Sequence, residues 1–117
     1  MRDIQKVYLK ILRIELGDLE EDLALLIRQC DEARHAHRAT ERVSLSNRMV
    51  YENELLGIRD FRRLLRVFRP NRYGTLEEMI ARLKSDFSGV VRSHGLAEAI
   101  TICVNRKIDK VARYVTQ

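Results

Sequence analysis

The sequence predicts an all-α fold, an antiparallel helical bundle of about four helices, two long and two shorter. One Pro and five Gly among 117 residues supply too few turn-formers for a many-stranded sandwich or barrel. Apolar residues at 45% and charged residues at 33% are enough to repay the ordering of a compact core, which excludes a compositionally disordered chain. The apolar residues recur at steps of three and four, the helical period, rather than alternating. A chain of this length is expected to form a single domain over 1–117 and to bury about two thirds of its unfolded surface.

The first helix is expected over 2–38, a stretch free of Pro. Leu9, Leu12, Leu16, Leu19, Leu23, Leu26, Cys30, Ala33 and His37 form a seam of the kind that packs at a shallow angle against a neighbour. Ile4, Val7, Tyr8, Ile11 and Ile14 widen the apolar surface well beyond that seam. A helix apolar on two sides needs two partners, either another segment of its own chain or a second copy. These five residues are therefore the expected interface of a homodimer.

The second helix is expected from about Thr40 to Arg69. Pro70 stops it, because the residue before a proline is pushed out of the helical region. Tyr51, Glu54, Ile58, Phe61, Leu65 and Phe68 make its inward stripe. A turn follows over Pro70 to Gly74, and Thr75 with Glu78 reads as a capping box opening the third helix. Leu76, Ile80, Leu83, Phe87 and Val90 run along that helix, and Gly95 reads as its stop. Ala97, Ile100, Val104, Ile108, Val111 and Val115 carry a fourth helix from about Leu96 to Val115. The simplest assembly is a hairpin of the long pair closed by the short pair.

The net charge of +5 is local. Six of the 22 basic residues and one of the 17 acidic ones fall within 59–72, so the rest of the chain is balanced. Arg59, Arg63 and Arg66 are expected on the outer face of the second helix, with Arg62 and Arg69 on its flank. Guanidinium forks match phosphate and carboxylate. Arg59, Arg63, Arg66, Arg69 and Arg72 are thus candidate residues for binding a polyanion, either nucleic acid or an acidic protein. The competing reading is internal. In a hairpin turning near 39–43, positions around 60 come level with Asp18, Glu20, Glu21 and Asp22, so Arg59 and Arg62 could answer that acidic cluster.

No segment reads as a catalytic, metal or cofactor site. Glu32 and His35 form one Glu-x-x-His pair, but a di-iron bundle needs that motif twice with further inward glutamates. Cys30 and His37 share a stripe about two turns apart, too far to hold one small ion unaided. An enzyme site around Glu54, His37 and Cys30 is the least favoured reading. Phosphate-cradling glycine loops and nucleophile elbows do not occur. No apolar run is long enough to cross a membrane, and Arg2, Asp3, Lys6 and Lys10 interrupt the start as no signal peptide would. A cytoplasmic location is expected, with the two cysteines unpaired. The functional expectation is a non-enzymatic interaction or assembly protein that self-associates. Binding of nucleic acid or another polyanion through residues 59 to 72 is the alternative.

Overall fold

The computed structural model describes residues 2–117, with side chains from Ile4 onward. Four helices follow one another: α1 (Arg2–His35), α2 (Glu41–Val67), α3 (Leu76–His94) and α4 (Glu98–Thr116), with a 3-10 turn over Pro70–Arg72. They are 34, 27, 19 and 19 residues long, two long and two shorter. No strand occurs among the described residues, so the all-α reading holds.

Local chemistry explains where each helix begins and ends. Thr40 caps α2, its hydroxyl accepting from the Val43 amide at 3.2 Å. Helix α2 ends at Val67, two residues before the expected Arg69, and Phe68 and Arg69 are extended ahead of Pro70. Thr75 caps α3 by accepting from the Glu78 amide at 3.1 Å. The Glu78 carboxylate reaches back to the Gly74 amide at 2.9 Å, one residue before the cap. Helix α3 closes at Gly95, left-handed at φ 64, with the Leu96 amide donating to the Val91 carbonyl and the Gly95 amide to that of Arg92. That is the Schellman arrangement.

Helix α1 closes in the same way on a different residue. The Arg38 amide donates to the Ala33 carbonyl and the His37 amide to that of Arg34, and His37 takes the left-handed backbone at φ 57. The helix therefore stops at His35 rather than 38. No glycine marks the position, which is why the sequence pattern overran it.

The core gathers Tyr8, Leu9, Leu12, Leu16 and Leu23 of α1 with Leu55, Ile58, Phe61 and Leu65 of α2. Met79, Leu83 and Phe87 of α3 and Ile100, Val104, Ile108 and Val111 of α4 complete it. Phe61 meets Phe87 edge to face, with ring centroids 5.0 Å apart. Helix α4 crosses α2 closely at Gly57, where a Cβ would lie 2.1 Å from Cγ2 of Ile100. Buried Tyr8 donates its hydroxyl to the Ile108 carbonyl at 3.0 Å, tying α1 to α4. Burial pushes the phenol well above its ordinary range, with the charge of Asp109 adding to the effect.

Cross-links between the long helices fix their relative course. Asp31 pairs with Arg48, Glu20 with Arg59, and Arg13 donates to the Leu65 carbonyl, so residue numbers fall along α2 as they rise along α1. At about 1.5 Å per residue α1 is roughly 51 Å long, close to the 54 Å long axis of the molecule. Helices α3 and α4, each roughly 28 Å, cover only part of that length. The far ends of α1 and α2, beyond Leu23 and before Leu55, therefore form a two-helix arm whose apolar residues Leu26, Ile27 and Tyr51 are only half buried.

Candidate functional site

The arginine-rich segment divides into two groups. Arg59, Arg62, Arg63 and Arg66 line one cleft with Glu20 of α1, a space of about 280 Å³. Arg59 Nε lies 3.0 Å from Glu20 Oε1, and Arg62 Nη1 bonds the other carboxylate oxygen. Burial of Glu20 acts to raise its carboxyl, but the hydrogen bonds and charges of Arg59 and Arg62 outweigh it and hold the group below its ordinary range. Arg63 pairs with Asp60 one turn earlier, and the second Asp60 oxygen sits 2.9 Å from Nδ1 of His94 at the end of α3. Among the described residues Arg66, Arg69 and Arg72 have no ion-pair partner.

Of the five arginines expected to share a binding face, the structure brings Arg59, Arg63 and Arg66 into this cleft, and Arg69 and Arg72 do not line it. The segment unwinds after Val67, which takes the last two off the helical face. Arg62, assigned by the helical pattern to the flank, joins the cleft through its bond to Glu20. The acidic cluster is answered through Glu20 alone among the described residues, while Asp18, Glu21 and Asp22 stay exposed.

The apolar residues at the start of α1 also divide. Tyr8 is 0% exposed and belongs to the chain's own core, because α4 covers that flank of α1. Ile4 and Ile11 are half buried against the same core. Val7 at 47% and Ile14 at 57% exposed face outward. Ile14 and Ile11 line a groove of about 360 Å³ with Glu15 and, from α4, Lys110, Val111 and Tyr114. Tyr114 is 66% exposed. Lys107 and Lys110 bind Glu15 at 3.6 and 3.3 Å along the groove's edge. Sequence periodicity missed α4's share of this surface. The available signal was an aromatic, Tyr114, standing off the stripe that ends at Val111 and Val115.

Glu54, His37 and Cys30 do not meet in one cleft. Cys30 lines a small one with Ser44, Asn47 and Tyr51, and His37 lines an open one at the α1–α2 turn with Arg34, His35, Arg38 and Glu41. Glu54 lies near Cys103, whose thiol is pushed up by burial and by that carboxylate. Both cysteines are free. Among the described residues no three His, Cys, Asp or Glu side chains are grouped to hold a metal ion. Among the described residues no helix is long and apolar enough to cross a membrane. Compared with family models, with curated proteins and with solved structures, the chain finds no match.

Proposed function

We propose that the chain is a non-enzymatic helical interaction module that assembles with a second copy of itself through the α1–α4 groove. The carrying observation is that Ile14 and Tyr114 stand exposed around one concave apolar surface whose floor, at Ile11 and Val111, is continuous with the core. Exposed apolar surface of this kind, edged by charge, marks association sites. A two-fold related copy fits it. The groove carries the Glu15–Lys110 ion pair on its edge, so two copies related by a two-fold axis meet there with both signs of charge and no net repulsion.

Other apolar side chains are exposed along α2, among them Leu45, Met49, Leu56 and Val67. They lie on the outer face of that helix, interrupted by Glu52, Asp60 and Arg63, and line none of the clefts described above. The α1–α4 surface is therefore the better candidate. The reading includes a cytoplasmic location, with the free thiols of Cys30 and Cys103 compatible with a reducing compartment. Light scattering across the micromolar range is expected to give a mass rising toward twice the 13.8 kDa of one chain. A constant single-chain mass over that range rejects the proposal.

A further inference from the structure

The arginine cleft lies apart from the apolar groove and carries an inference of its own. We infer that the cleft of Glu20, Arg59, Arg62, Arg63 and Arg66 binds a compact phosphate group, a phosphate ester or a diphosphate. All five side chains lining it are charged. Two carboxylates stand against the four guanidinium groups, and both are fully engaged. Glu20 offers one oxygen to Arg59 and the other to Arg62. Asp60 offers one to Arg63 and the other to His94. The cleft thus keeps a positive excess, and Arg66 has no protein counter-ion among the described residues.

Each guanidinium has five N–H donors in a planar fork. Arg59 commits its Nε to Glu20 and Arg62 one Nη1 proton, so most of their donors have no protein acceptor among the described residues. Glu20 therefore acts as a strut. It holds two forks side by side in the same cleft, the pre-organisation that a phosphate oxyanion exploits.

Two observations favour a compact group over a nucleic-acid backbone. The arginines occupy positions 59 to 66, roughly 10 Å of helix, and α1 carries the exposed Asp18, Glu21 and Asp22 within a turn of Glu20. A long polyanion laid across α1 would meet that acid, whereas a short group stays on the basic side. Phe61, within the arginine stretch, is buried, and the aromatics that follow it, Phe68 and Tyr73, stack on each other with centroids 5.2 Å apart and planes 7° off parallel, Phe68 being buried. The buried rings are not presented to a nucleic-acid base, and one face of Tyr73 is taken by Phe68.

The test is calorimetric titration of the full chain with inorganic pyrophosphate at low ionic strength, with a mixed-sequence DNA duplex as the second ligand. Saturable one-to-one binding of pyrophosphate is expected. The double variant Arg59→Gln/Arg66→Gln is expected to weaken it by about tenfold or more. Circular dichroism confirms that each variant is folded. Ile14→Asp, in the other surface, is expected to bind pyrophosphate as the unaltered chain does, so failure of self-association leaves this result readable. Absence of saturable pyrophosphate binding overturns the inference, as does unchanged binding by the double variant. Tight duplex binding with a steep salt dependence that pyrophosphate fails to displace overturns it too.

Discussion

Gly57 and His37 do opposite things for stability. At Gly57 a methyl group would sit 2.1 Å from one carbon of Ile100 and 3.0 Å from another, so α2 and α4 could keep their approach only by displacing a buried side chain. Gly57→Ala is expected to cost about 1 to 3 kcal/mol, the usual effect of overpacking, read as a lower urea midpoint. His37 holds the left-handed backbone that Gly95 holds at the end of α3, without the freedom glycine has there. His37→Gly is expected to stabilise by about 1 kcal/mol through relief of that strain, read in the same titration. Glu20 gives a pH dependence whose sign is fixed by its lowered carboxyl. A group bound more loosely to its proton in the fold than in the open chain contributes stability above its unfolded value and loses it as pH falls. Glu20→Gln is therefore expected to lose about 1 kcal/mol or less at neutral pH, the scale of a partly exposed ion pair. Its stability is expected to decline less steeply than that of the unaltered chain below about pH 5.

Helix by helix, the long-period patterns were legible and the interruptions less so. The stripes of α3 and α4 and the Thr75 cap follow directly from apolar spacing and turn chemistry, and Leu83, Phe87, Val104 and Ile108 are all buried as that spacing requires. The end of α1 was not legible, since a histidine stands where a glycine would have signalled the stop. The two-sided apolar start of α1 could be read, but not which partner met each side. Tyr8 went inward because α4, distant in sequence by 100 residues, returns to cover it. The arginine cleft was half legible for a similar reason. Helical spacing grouped Arg59, Arg63 and Arg66, and the expected hairpin brought Arg59 and Arg62 to the acidic cluster, but spacing did not single out Glu20 as the one residue that answers them. The arm formed by the far ends of α1 and α2 is the element with least support. Leu26, Cys30, Ala33 and Tyr51 there are half buried, and the buried Ser44 hydroxyl finds no hydrogen-bond partner among the described residues. Local opening follows low burial. Amide hydrogen exchange is expected to be faster over 26–50 than over 8–16, and equal protection of the two stretches would contradict this division of the hairpin.

Taken together, the surfaces of the molecule are of two kinds. The +5 excess is not a general basic character but a single cleft and the segment just beyond it, with part of its charge already answered by Glu20 and Asp60. On the separate surface where α1 meets α4, Ile14 and Tyr114 are apolar groups that the chain leaves in water. Burying the exposed half of one such side chain is worth about 1 kcal/mol, so several of them on each copy can hold two chains together once the loss of free motion is met. A charge placed at that surface must then break the pair, whereas one placed on the outer face of α2 must not. Sedimentation equilibrium of Ile14→Asp, beside Met49→Asp and Val67→Asp as controls, separates the two faces. The expected result is a single-chain mass for Ile14→Asp alone, with both controls remaining paired like the unaltered chain. A paired Ile14→Asp, or dissociation only in a control, would contradict assembly through the α1–α4 groove.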